Sequence, residues 1–107
     1  MTDNERFAPL FGFENIDYIP FEDRAGRKWR DENRTLYHEC PDFCDIRERF
    51  FGPACEELGK AGWVLLLDPV NRRWNWESRV DYSLAITDEN LGRCTMLALE
   101  KQLRSEK

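Results

Sequence analysis

Histidine is almost missing from this sequence: His38 is the single copy in 107 residues. A Ser-His-Asp relay or a histidine-rich metal cage thus has one residue to build on, and no pair of carboxylates is set apart for acid and base roles. Glycine is sparse, with six residues, and Gly59-Lys60-Ala61-Gly62 lacks the spacing and the Ser or Thr of a phosphate-cradling loop. Long apolar runs are also missing. The longest aliphatic stretch, Val64 to Leu67, is far too short to cross a bilayer, and Met1 to Arg6 carries no basic head before an apolar segment.

An excess of cations is missing as well. With 16 Lys and Arg against 21 Asp and Glu, the formal charge is −5, which does not favour attraction to a phosphate backbone. The acidic residues do not form the one-sign surface of a nucleic-acid mimic either, because Asp45-Ile46-Arg47-Glu48-Arg49 alternates its signs. These absences lead to the expectation of a non-catalytic, cytoplasmic protein with no membrane segment, no cofactor and no nucleic-acid partner.

What the chain does contain is apolar mass. Hydrophobic residues make up 41% and aromatics 13%, with four Trp and seven Phe, against 35% charged residues. That composition specifies a folded chain, and the length predicts one domain over residues 1–107, burying roughly 65% of its unfolded surface. Its texture changes along the way. Residues 1–40 read as an irregular N-terminal arm: scattered aromatics and prolines, a brief alternation at Ile16 and Tyr18, then a mixed-charge run from Glu22 to Glu32 broken by Gly26 and Trp29.

Residues 41–103 read as the core. Asp45 with Glu48 three residues on resembles a capping box, so a helix is expected to start there and to bury Ile46, Phe50, Ala54 and Leu58, with Pro53 kinking it and Gly59 or Gly62 ending it. Trp63 to Leu67 then has strand length and apolarity, with both faces expected to be covered. Asp68-Pro69-Val70-Asn71 reads as a turn and Arg72 to Ser78 as the returning strand, with Trp74 and Trp76 on one face. Tyr82 to Ile86 supplies a third strand. Thr87 or Asp88 is then expected to cap a closing helix whose apolar residues, from Leu91 to Leu103, cover more than half its circumference. The predicted class is α+β: a small antiparallel sheet, made of a hairpin plus a third strand, packed with two principal helices in the order helix, strand, strand, strand, helix.

Four cysteines, Cys40, Cys44, Cys55 and Cys94, would be thiols or metal ligands in a reducing compartment. His38-Glu39-Cys40-Pro41-Asp42-Phe43-Cys44 has the residue types of a zinc site. In a helix starting by residue 45, however, Cys44 and Cys55 would lie roughly 16 Å apart and could not share one ion. No metal is expected; Cys55 and Cys94 read as small core residues and His38 as a surface residue. Cys44 before a helix start would suit a nucleophile with His38 as its base, but no third group is present to orient them.

Two places have the composition of a binding site. Arg72-Arg73-Trp74-Asn75-Trp76 interleaves cations with aromatics, as single-strand binders do, although the alternation also places both tryptophans on the face that helices would cover. Trp29, between Lys28 and Arg30 in the charged run, has the makeup of an exposed interface anchor; the alternative is that it folds back onto the sheet. The candidate binding residues are therefore Trp29, Arg30, Arg72 and Arg73.

The order Pro41-Asp42-Phe43-Cys44-Asp45 before a helix, Gly62-Trp63 opening a strand, Arg73-Trp74 in its return, and Ala85-Ile86-Thr87 leading into Leu91-Gly92-Arg93-Cys94-Thr95-Met96-Leu97-Ala98-Leu99 resembles the phage ABA-sandwich domain. The resemblance covers roughly residues 41–103; Pro53 departs from it, and residues 1–40 have no counterpart in it. It implies phage or prophage origin and work in the cytoplasm of a bacterial host, and it carries over no catalytic residue. The expected function is then binding to a host protein or complex, for instance inhibition of bacterial immunity as an anti-CRISPR. The alternative is sequestration of a nucleotide signal in a pocket lined by arginines and tryptophans.

Overall fold

The elements described in the first 42 residues are short, and a regular sheet with two helices follows. The computed structural model describes residues 2–16 and 29–105. The chain divides into two compact units, Met1–Asp42 and Phe43–Lys107. With three helices and two antiparallel three-stranded sheets among the described residues, it is an α+β protein.

The first unit opens with helix α1, Asp3–Phe7, because Thr2 is a good N-cap: its Oγ1 accepts from the Glu5 amide at 3.2 Å. A 3₁₀ turn, Ala8–Phe11, follows and ends at Gly12, whose φ of 76° is one that glycine adopts at little cost. Strands β1 (Glu14–Asn15), β2 (Trp29–Arg30) and β3 (Leu36–Tyr37) then pair antiparallel in that order, with Asn15 and Tyr37 on either side of Trp29. Asp31 organises the β2–β3 turn. Its Oδ1 accepts from the amides of Asn33 and Thr35, both at 2.9 Å, and its Oδ2 accepts from the Tyr37 hydroxyl at 2.9 Å. The Tyr37 ring also packs against Phe13, with centroids 5.3 Å apart. The described part of this unit thus carries a small sheet that the sequence did not announce. Two-residue strands are too short to show alternation, and β1 meets β2 only across a long connection. Of the expected Ile16 and Tyr18 alternation, Tyr18 lies outside the described residues, as does the charged run up to Lys28.

The second unit follows the predicted order, as α2 (Phe51–Lys60), β4 (Trp63–Asp68), β5 (Arg73–Ser78), β6 (Ala85–Asp88) and α3 (Leu91–Ser105). Its first helix starts later than the capping-box pattern predicts. Asp45 instead closes a local turn, accepting from the Arg47 amide at 2.9 Å and from Nε and Nη2 of the Arg47 guanidinium, while the Glu48 amide returns to the Asp45 carbonyl at 3.0 Å. A helix starting at Phe51 places Pro53 in its first turn, where no amide is required, so the proline does not interrupt it. Phe50, Ala54 and Leu58 are buried as expected; Ile46, ahead of the helix, is half-exposed. The helix ends as Ala61 donates to Glu57 and Gly62 takes a φ of 88°.

Sheet order is β4-β5-β6, and its register sets Trp63, Leu65 and Leu67 on the same face as Trp76 and Trp74. Both principal helices pack on that face. The Trp63 indole donates to Gln102 at 2.7 Å, the Trp76 indole to Thr95 at 2.8 Å, and the Cys94 thiol to the carbonyls of Ile86 and Trp74. The opposite face carries Val64, Leu66, Asn75, Glu77 and Thr87. It is open enough to leave Leu66 42% exposed, so the first strand is not covered on both faces. Two further boundaries shift. The third strand starts at Ala85, leaving Tyr82 exposed, because Ser78 Oγ and Asp81 carboxyl oxygen spend residues 79–83 on a hydrogen-bonded turn. The closing helix takes its cap from Asn90, whose Oδ1 accepts from the Arg93 amide at 2.9 Å; Thr87 and Asp88 still belong to β6.

Candidate functional site: the β4–β5 hairpin turn

A four-residue connection, Pro69 to Arg72, joins β4 to β5, and its shape is set by Asp68. The Oδ1 atom accepts from the amides of Val70 at 3.0 Å and Asn71 at 3.2 Å, and Oδ2 accepts from the Asn71 side-chain amide at 2.8 Å. Arg72 completes the reversal with a φ of 53°, a left-handed conformation uncommon for a residue other than glycine. The result is a fixed turn with an apolar and cationic surface. Val70 is 85% exposed at its tip and Leu67 53% exposed at its base. Arg72 has no ion pair among the described residues, while Arg73, opposite Asp68, reaches Glu89 at 3.4 Å.

The Asn71 side chain, and after it the amides of Asn71 and Val70, hold the Asp68 carboxyl below its ordinary value. Because the folded value is depressed, the stabilisation this gives the turn is present above the unfolded value of about 3.9 and is lost as pH falls through the folded one. An NMR titration is expected to show Asp68 protonating below the free aspartate value, with the Val70 and Asn71 amide resonances moving on the same midpoint. An ordinary Asp68 midpoint, or amides that move independently of it, would mean that the carboxyl does not hold the turn.

Of the four residues singled out in the sequence, Arg72 lies in the turn and Arg73 opens β5 beside it. Trp29 and Arg30 belong to the other unit. Trp29 is 8% exposed, in β2, so it is not the exposed anchor in a solvated loop that its charged neighbours suggested. Arg30 pairs across the strands with Glu14, its Nε donating at 2.8 Å. Trp74 and Trp76 face α3, which leaves no tryptophan pair beside the arginines for a base to stack on. The exposed residues Val70, Leu66 and Leu67 were not singled out. Pro69 and Asn71 around Val70 do signal an exposed turn, whereas nothing in a five-residue apolar run marks which end the helices leave bare.

His38 is exposed, Cys40 and Cys44 are half-buried, and among the described residues no three His, Cys, Asp or Glu side chains come together as metal ligands. Cys44 sits in the turns ahead of Phe51, not at a helix start as expected. Burial, with a smaller contribution from Glu5, pushes the Cys40 thiol up to about 11, and burial does the same at Cys94. Both are protonated, poorly nucleophilic thiols at neutral pH.

These features describe a small α+β protein with a rigid, exposed turn on an open-faced sheet, in which no helix of the described residues is long and apolar enough to cross a membrane. The chain matches no family model, no curated protein and no solved structure. The likeness to the phage ABA-sandwich domain thus rests on the residues of the sequence alone.

Proposed function

We propose that this is a non-catalytic binding protein of phage or prophage origin that acts in the host cytoplasm on a host protein or complex, with inhibition of bacterial immunity, as by an anti-CRISPR, as its concrete form. The observation that carries this reading is the β4–β5 turn. Three hydrogen bonds from Val70 and Asn71 to Asp68 fix the turn that carries exposed Val70 and, next to Asn71, exposed Arg72. A preorganised turn loses little conformational entropy on binding, and an arginine beside apolar surface is the composition of a protein interface. The phage origin comes from the sequence resemblance over residues 41–103.

The test is capture of the tagged chain from bacterial lysate followed by native mass spectrometry, in parallel with Val70→Asp and Arg72→Glu. A stoichiometric protein partner is expected with the wild type, and each variant is expected to lose about 2 kcal/mol of binding, roughly thirtyfold in affinity. A partner retained equally by both variants would remove the turn from the interface. A bound small molecule with no protein partner would favour nucleotide sequestration instead.

A further inference from the structure

Strand β4 lies at the edge of its sheet, and its backbone polarity can be assigned residue by residue. The Arg79 amide donates to the Gly62 carbonyl at 2.8 Å, and 62 opposite 79 continues the register that pairs Trp63 with Ser78. In an antiparallel ladder the bonded positions alternate, so Val64, Leu66 and Asp68 turn their amides and carbonyls toward β5. Trp63, Leu65 and Leu67 turn theirs outward, where no strand pairs with them among the described residues. Sheet edges are ordinarily blunted by lysine, proline or a bulge. Trp63-Val64-Leu65-Leu66-Leu67 has neither residue, and its register with β5 runs without a break.

We infer that two copies of this chain associate through antiparallel pairing of their β4 edges, about a two-fold axis at Leu65. A two-fold axis that joins antiparallel edges into one sheet stands perpendicular to that sheet, so it keeps the helices of both copies on one side and pairs residues that share a face. Centred on Leu65, it sets Leu65 against Leu65, and Trp63 against Leu67 twice. These are the residues whose backbone groups point outward, so three amides from each copy meet three carbonyls of the other. On the open face Val64 meets Leu66 twice. Every cross-strand pair is apolar, and no like charges meet, which matters for a chain of charge −5. Sliding the copies toward the turn opposes Val64 to Asp68 and Trp63 to Pro69, which has no amide; sliding them the other way sets Leu67 against Ala61, before the strand begins. The sequence of this edge is thus complementary to itself in one register. That favours a second copy over a foreign strand as its occupant, and the pairing covers the exposed parts of Leu66 and Leu67.

The experiment is analytical ultracentrifugation of the full chain from micromolar to millimolar concentration, with amide hydrogen exchange at both ends of the range. A monomer–dimer equilibrium is expected, with the amides of Trp63, Leu65 and Leu67 becoming protected as the dimer forms, while those of Val64 and Leu66 are protected throughout. Leu67→Pro removes an outward amide without touching the β5 ladder, and Leu66→Lys sets a lysine beside Val64 of the other copy. Each is expected to weaken the dimer at least about tenfold, and Leu66→Lys keeps the test open if the proline unfolds the sheet. A chain that stays monomeric at millimolar concentration, a dimer whose Trp63, Leu65 and Leu67 amides exchange freely, or one indifferent to both variants would overturn the inference.

Discussion

Replacing Gly92 by alanine is expected to cost the second unit about 3 to 5 kcal/mol, at or above the upper end for overpacking, although alanine is the better helix former. Gly92 lies buried in the first turn of α3, and a Cβ built there would stand 1.8 Å from the carbonyl oxygen of Cys44 and 2.6 Å from its carbon. Both partners are backbone, so no side-chain rotation relieves the clash; either the start of α3 or the chain at Cys44 has to move. α3 carries Cys94 and Thr95 against β5 and β6, so a shift at its start spreads through their contacts. The melting point is expected to fall by roughly 12 to 40 °C, at about 4 to 8 °C per kcal/mol in a domain of this size. Gly59→Ala is the matching control, since its Cβ meets nothing within 4 Å. That variant should gain about 0.5 to 1 kcal/mol from helix propensity alone. Circular dichroism melts of the two decide it: equal effects would mean that the approach of Cys44 to α3 carries no weight.

This contact marks where the sequence stopped being informative. The apolar periodicity from Leu91 to Leu103 identifies α3, and the same kind of signal identifies β4, β5 and the body of α2. Each of these elements is long enough to repeat its own period. A glycine required by a neighbouring carbonyl leaves no such trace. The Asp45 and Glu48 pattern failed for a related reason: a side chain able to cap a helix is equally able to close a turn, and the Arg47 fork on Asp45 decided between them. In the first unit the strands are two residues long and β1 is far from β2 in the chain, so no period announces the pairing. The candidate site was half legible. Arg72 and Arg73 were found by composition and Pro69 with Asn71 by turn chemistry. The exposure of Leu66 and Leu67, and the burial of Trp29, depend on where other elements end.

Truncating Trp76 is expected to be the most damaging side-chain deletion in the sheet. Trp76 is buried in the central strand, and Trp76→Ala removes its ring from beneath α3 for a cost of about 3 to 5 kcal/mol. Part of its role is polar. The indole donates to Thr95 Oγ1 at 2.8 Å, and that hydroxyl donates in turn to the Leu91 carbonyl at 2.8 Å. The two bonds together satisfy a donor and a hydroxyl that water does not reach. The arrangement predicts an asymmetry between two milder variants. Thr95→Val keeps the shape but leaves the indole N–H buried without an acceptor, for about 1 to 3 kcal/mol. Trp76→Phe removes the donor, while Thr95 keeps its bond to Leu91, so little beyond the lost ring volume is felt. Because Thr95→Val does no further harm once the donor is gone, the double variant is expected to be more stable than the sum of the single losses by about 1 kcal/mol. Urea unfolding of the four proteins measures this coupling, and strict additivity would mean that the indole bond contributes nothing to holding α3 on the sheet.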